Sequence, residues 1–495
     1  MGKKSSGILF HITSLPGKYG IGDIGNSSYQ FIDFLEKVRC KYWQFLPVIY
    51  PGMGNSPYQG ISAFAGNPFI ISPDLLYQDG YIKKMQLPDS ETGTNSVDFR
   101  KVKEVKNRLI NQAFEKLNGS FFKSDEFQNF CFDNDYWLNN FSLYIALKRK
   151  YQNKSWPKWP KLKENKVGYY LKSKDGYLEK QVLKEKFTQF IFFKQWRKLR
   201  DYASSRGIKL IGDLPLYVAY KSADVWSQPE LFKLSKNEKP FFISGVPPDF
   251  FSSTGQIWNT PVYDWEANKK SSYSWWKERI KQNLDMVDIL RLDHFRGFSR
   301  YWEIPSTSKT AAKGHWEDGP GITLFDAISK DTDITISNRF LAEDLGIIDD
   351  DVISLRNKLG IPGMKIVQFE FDMDDCRFPD HVDENCFLYT GTHDNDTIKG
   401  WLNKLTQREA RNLQRVTGKD KDTIQPKDVI SMAWGTKAKT VIVPIQDILE
   451  LGSDSRMNFP GKQDGNWGWK LGEGMINSDS LASNLYTLNQ RFQRN

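Results

Sequence analysis

The 495-residue sequence predicts an α/β fold, a (β/α)8 barrel with insertions, on three observations. Short apolar, β-rich segments recur eight times along the chain, the number such a barrel needs. Amphipathic helical patterns lie between them. Several segments end in a polar or acidic residue, and the strand C-termini are where parallel barrels carry their chemistry.

The first two segments are residues 7–11 (GILFH) and 42–46 (YWQFL). Residues 208–213 (IKLIGD), 287–293 (VDILRLD) and 340–344 (FLAED) follow. Residues 364–368, 386–394 and 440–447 complete the set. Phe192, Trp196, Leu199 and Ala203 show helical spacing, and Gly207 stops that helix just before the third segment. A doubly wound sheet is the structural competitor, but no GxGxxG follows the first segment. The second and third segments are about 160 residues apart, far beyond an ordinary βα unit. Residues 51–186 are therefore expected to hold an inserted, largely helical subdomain within one catalytic barrel spanning 1–495.

Hydrophobic residues make up 39% and charged residues 26%, which excludes disorder, collagen-like repeats and a coiled coil. No apolar run reaches the roughly 18 residues of a membrane helix, and MGKKSSGILF reaches His11 before a secretory segment can form, so a cytoplasmic protein without membrane partners is expected. Cys40, Cys131, Cys376 and Cys386 show no CxxC spacing and read as reduced thiols. The net charge of +9 is local: residues 148–186 hold thirteen Lys or Arg against four acids, which accounts for the whole surplus. No nucleic-acid-binding motif accompanies that cluster, so it reads as a solvated insertion rather than a nucleic-acid interface.

Asp293, Glu343 and Asp394 end three of the segments, and in a parallel barrel such ends converge on one face. Two carboxylates there can flank a scissile glycosidic bond while a third holds the sugar. Arg291, two positions before Asp293 and on the same strand face, is expected to keep that aspartate ionised. Glu343 follows Phe340-Leu341-Ala342, an apolar setting that favours a raised pKa and the acid role. The residues alone leave open that these carboxylates merely cap helices or pair with arginine.

The five histidines form no HxxxH or HxH, so no metal is expected. His294 and His393 read instead as hydrogen-bond donors to a polyhydroxylated substrate. No GxSxG supports a serine hydrolase. Tyr58 in SPYQ, and Phe250, Phe251, Trp258 and Tyr263 between Gly245 and Trp265, sit in polar, Gly/Pro-rich stretches. Flat side chains around acidic strand ends suit the apolar faces of sugar rings.

At these residues the sequence resembles the 4-α-glucanotransferases (amylomaltase or disproportionating enzyme) of glycoside hydrolase family 77. The matching stretches are SLPG at 14–17 with YGIGD at 19–23, SPYQ at 56–59 with SAFAGNP at 62–68, and GDLP at 212–215. They continue as GVPPD at 245–249, RLDHFRG at 291–297, AEDLG at 342–346, THDNDT at 392–397, RMN at 456–458 and Asn466-Trp467. The resemblance runs nearly end to end and weakens from about residue 79 to 186.

The resemblance implies that Asp293 is the nucleophile, Glu343 the general acid/base and Asp394 the transition-state stabiliser, with Arg291 and His393 as supports. It implies that Tyr58, Gln256 and Trp258 line sugar subsites, that Asp213, His294 and Asn466 join the substrate-binding set, and that Phe250 and Phe251 ride on a cover loop at about 245–265 within an inserted region, 214–286. It further implies an amylase-type TIM barrel without a C-terminal β-domain, no metal or organic cofactor, maltooligosaccharides and α-1,4-glucans as donors, and glucose among the acceptors. Two positions depart from the family pattern. Met53 stands where some members place Tyr for a second glucan groove, and His315-Trp316 stands in place of Arg-Trp near an outer subsite. The competing readings are an α-glucan hydrolase using the same carboxylates and a non-catalytic glycogen- or starch-binding protein.

Overall fold

A computed structural model describes residues 3–87, 94–160, 175–248, 253–462, 464–474 and 479–494. In chain order its strands are β1 (Ser5–Leu9), β2 (Tyr42–Gln44), β3 (Lys209–Leu214), β4 (Phe242–Val246), β5 (Gln256–Pro261) and β6 (Ile289–Leu292). They continue with β7 (Arg300–Pro305), β8 (His315–Asp318), β9 (Phe340–Ala342), β10 (Gly363–Ile366), β11 (Cys386–Tyr389) and β12 (Thr440–Pro444).

Eight of these form one parallel sheet in the order β10-β11-β12-β1-β2-β3-β6-β9, which is chain order around a ring. The ring closes where the Ala342 N–H at the end of β9 donates to the Pro362 carbonyl just before β10, 2.9 Å away. Each of the eight segments expected as strands lies at one of these positions, so the (β/α)8 barrel is the fold. Its strands are buried on both faces, because helices cover the outside and side chains fill the inside, and they therefore read as continuous apolar runs. Space inside is tight: a Cβ on Gly7 would lie 2.6 Å from side-chain carbons of Tyr42 and Ile442, so only glycine fits there.

The helices Phe99–Glu115, Asp125–Asp133, Asp135–Lys150 and Gly176–Ser205 lie between β2 and β3. The last spans 30 residues and does two jobs. Its first half packs Phe187 and Phe190 against Phe121 and Phe127, and its second half sets Trp196 edge-on to Phe45 beside the barrel. Asp175 caps its first turn by accepting from the N–H groups of Tyr177 and Leu178. Several of the clustered basic residues are already partnered: Arg149 lies 2.6 Å from buried Glu185 and Lys180 2.7 Å from Glu115. Lys161, Lys163, Lys166, Lys172 and Lys174 of that cluster lie outside the described residues.

Four strands, in the order β5-β4-β7-β8, form a separate antiparallel sheet that the sequence did not suggest. β4 and β5 flank residues 247–255, and β7 and β8 follow β6 directly. Among the described residues no helix is long and apolar enough to cross a membrane.

Candidate active site

The register of β3 against β6 places Asp213 opposite Arg291. Both side chains are buried, and Arg291 Nη1 lies 2.8 Å from each carboxylate oxygen of Asp213 and 3.0 Å from Asp293 Oδ1. One guanidinium thus serves two carboxylates. Tyr58 donates its hydroxyl to Asp213 Oδ2 at 2.7 Å, which ties the loop after β2 to the same group.

Backbone bonds stitch the strand ends together. The Asp293 N–H reaches the Leu214 carbonyl, the Glu343 N–H reaches Leu292, and the Phe295 N–H reaches Glu343. Between them His294 adopts a left-handed backbone, φ 51°, uncommon for a residue with a side chain. That turn aims its N–H at Glu343 Oε2, 2.7 Å away, while the Leu345 N–H reaches Oε1 at 3.2 Å. Glu343 therefore receives neutral backbone donors and, among the described residues, no direct ion pair.

The electrostatic settings differ accordingly. Burial pushes the Glu343 carboxyl up to about 8, with Arg291 pulling down and Asp293 pushing up. Burial also raises Asp293, opposed chiefly by the adjacent Arg291. The sequence-based expectation identified the arginine's pull on Asp293 but not the burial that outweighs it. Burial lowers both His294, to about 4, and His393, so both rings are neutral near pH 7 and each offers one N–H donor.

Asp394 follows β11 on the far side of the ring. Its Oδ1 accepts from Asn458 Nδ2 at 2.6 Å, its Oδ2 lies 3.4 Å from His393 Nε2, and Arg456 holds its backbone carbonyl at 2.8 Å. The His393 ring stacks on Tyr58 at 5.1 Å and 17°, with Trp467 tilted against both. Trp258 on β5 stands edge-on to His294 at 4.8 Å, and its indole N–H donates to Gln256 at 3.3 Å.

The structure thus joins Tyr58, Asp213, Arg291 and Asp293 through direct bonds, Glu343 through the His294 backbone, and His393 with Asp394 through the Tyr58 stack. Asn466 does not join them: its carboxamide accepts from the Phe459 N–H and donates to the Lys462 carbonyl, which orders its own loop. Phe250, Phe251 and the side chain of Met53 lie outside the described residues. Asn458, Arg456 and Trp467 were quoted in matching stretches without a role, and only the fold brings them against Asp394, His393 and Tyr58.

Among the described residues His294 and His393 belong to no cluster of potential metal ligands. The one such group found among the described residues is Glu303, His315 and Glu317, on β7 and β8. There His315 Nε2 lies 3.2 Å from a carboxylate oxygen of each glutamate, and Lys233 sits 2.7 Å from buried Glu303.

The family model described as 4-alpha-glucanotransferase matches residues 10–475. A 4-alpha-glucanotransferase of Aquifex aeolicus is 42% identical over 94% of this chain and 95% of its own, and one of Clostridium butyricum is 41% identical over 98% and 99%. The amylomaltase of Streptococcus agalactiae, solved in complex with acarbose, superposes with a TM-score of 0.91 at 35% identity, covering 99% of this chain and all of its own. The chain belongs to the 4-α-glucanotransferase family, glycoside hydrolase family 77.

Proposed function

We propose that Asp293, Glu343 and Asp394 carry the family's retaining 4-α-glucan transfer in this chain, with maltooligosaccharides as donors and glucose or a glucan end as acceptor. The observation that carries the assignment is the contrast between two partly buried carboxyls. Asp293 touches a guanidinium, whereas Glu343 has neutral donors and is pushed to about 8.

Near pH 7 Glu343 therefore holds a proton to give to the leaving glycosidic oxygen while Asp293 attacks C1. The products are a glycosyl ester on Asp293, a shortened glucan and ionised Glu343. The acceptor hydroxyl then loses its proton to Glu343 and displaces Asp293, restoring both groups and the original anomeric configuration. Asp394, oriented by Asn458, is placed to bind sugar hydroxyls as charge develops at C1. That the Streptococcus agalactiae relative was solved in complex with acarbose supports a saccharide ligand for this chain. The four unpaired cysteines support a reducing compartment, which we take to be the cytoplasm.

The assay is maltotriose alone. Transfer conserves the number of glycosidic bonds, so glucose and maltopentaose should appear while total reducing ends stay constant. Asp293→Asn and Glu343→Gln should each lose at least about a thousandfold in rate. Asp351→Asn, at an exposed position in the first turn of the helix Asp350–Leu359, should not. Reducing ends that grow with every bond cleaved, or near-normal turnover in the Asp293 variant, would overturn the reading.

A further inference from the structure

We infer that Asp447, a buried carboxylate just after β12, is a positioning residue that holds Asp394 in place, an inference that rests on the role proposed for Asp394. Asp447 lies in the short helix Ile445–Ile448 and is 1% exposed. Its Oδ2 accepts from the Thr390 hydroxyl at 2.8 Å and its Oδ1 from the Ile398 N–H at 2.7 Å. Thr390 directly follows β11, and Ile398 opens the helix Ile398–Leu402. The loop between those two residues carries His393 and Asp394. A single carboxylate thus ties down both feet of that loop.

Other contacts hold the loop as well: at the foot the Thr390 N–H donates to the Ile442 carbonyl at 3.3 Å, and higher up Lys404 and the Ser453 hydroxyl donate to Asp396 Oδ2 at 2.7 and 2.9 Å. Gln368 Nε2 donates to the Asp396 carbonyl at 2.8 Å, Arg456 to that of Asp394, and the Asn458 N–H to that of His393 at 3.2 Å. Arg456 and Asn458 come from a partly exposed segment, whereas Asp447 is buried and its one carboxyl bonds both Thr390 and Ile398. An apolar side chain would fill this site without the desolvation cost of a carboxyl. The carboxyl supplies what an apolar group cannot, two acceptors for donors 57 and 49 residues earlier in the chain. Asp396 faces it as a like charge, and His11, His393 and Arg456 line the same cavity.

Displacing a stabilising carboxylate by an ångström costs up to about a hundredfold in rate, and Asp394 contributes mainly in the transition state, so the loss belongs in kcat. Thr390→Val is nearly isosteric and cuts one foot. It should lower kcat on maltotriose about tenfold with KM within about twofold. Asp447→Ala should lose more. Asp447→Asn keeps both bonds if the Thr390 hydroxyl turns to accept, and should recover to within about threefold of wild type. The decisive measurement uses a variant lacking the Asp394 charge. If the clamp acts through Asp394, Thr390→Val should slow Asp394→Asn no further, whereas independent damage would multiply. Folding of every variant is checked by circular dichroism, and Thr390→Val with its double variant carries the test even if Asp447→Ala does not fold. Wild-type kcat in folded Thr390→Val, or multiplied losses in the double variant, would overturn this inference alone. An unimpaired Asp394→Asn would overturn the proposed role of Asp394 as well.

Discussion

Replacing Arg291 tests the electrostatic core of the site most directly. Its Nη1 lies 3.0 Å from Asp293 Oδ1 and 2.8 Å from Asp213, with all three groups largely enclosed. Two unit charges about 3 Å apart in an effective dielectric of 20 attract by about 5 kcal/mol, equivalent to roughly four pKa units. That is an upper bound for Asp293, because the guanidinium is shared with Asp213 and water enters once the side chain is gone. A cation at this range typically lowers a carboxylate by about 1–3 units. Arg291→Met should therefore move the acidic limb of kcat/KM upward by about 1–3 pH units, since Asp293 must be ionised to attack.

The alkaline limb should move in the same direction by less. Arg291 also pulls the Glu343 pKa down, but from farther away, and Glu343 must be protonated to act as the acid. Initial rates of glucose release from maltotriose between pH 4 and 10 give both limbs. Arg291→Lys keeps a charge but on a differently shaped head whose placement between the two carboxylates is not preserved, and should fall between wild type and Arg291→Met. An acidic limb that stays within about 0.3 unit of wild type in folded Arg291→Met would refute the assignment of that limb to Asp293, because loss of the cation must reach the group it touches.

Glu343 has a raised native pKa, so the native state binds more protons than the unfolded chain between about pH 4.5 and 8, and this carboxyl costs stability as pH rises through that window. Glu343→Gln should therefore raise the melting temperature relative to wild type, by little at pH 4.5 and by a few degrees at pH 8; a constant difference in thermal melts across that range would contradict the raised pKa. Trp258→Ala removes the indole beside His294 and should increase new reducing ends per transfer product severalfold on maltotriose, while an unchanged ratio would remove Trp258 from acceptor selection. EDTA should leave turnover unchanged, and a loss restored by one divalent ion would direct attention to Glu303, His315 and Glu317.

The barrel was legible because each of its strands is a short run buried on both faces and set off by helical periodicity. The antiparallel sheet was not. β5 (QIWNTP) and β8 (HWED) are only partly buried and mix aromatic with polar residues, which reads as an aromatic loop rather than a strand. Within the site, strand-end position singled out Asp293, Glu343 and Asp394, and period-two spacing placed Arg291 on the face of Asp293. The pairing of Arg291 with Asp213 depends on the β3–β6 register, and that of Asn458 with Asp394 spans 64 residues. No local pattern encodes either. Burial at Asp293 was likewise invisible, because it comes from elements distant in sequence.

The sharing of one guanidinium also bears on how Glu343 could serve as acid in one half of the proposed cycle and base in the other. In the free site Asp293 is an anion that raises the Glu343 pKa, and burial adds to it. Once Asp293 has formed the glycosyl ester it is neutral, and that repulsion vanishes. Arg291 then has only Asp213 as a full counter-charge, so more of its field is left to favour an ionised Glu343. Both changes lower the Glu343 pKa at the stage when it must be an anion ready to take the acceptor's proton. When the acceptor displaces Asp293, the carboxylate reappears, the pKa climbs back, and the proton stays on Glu343 for the next donor. The backbone N–H groups of His294 and Leu345 suit this role because they hold the carboxyl in place without the fixed charge that would pin it in one protonation state.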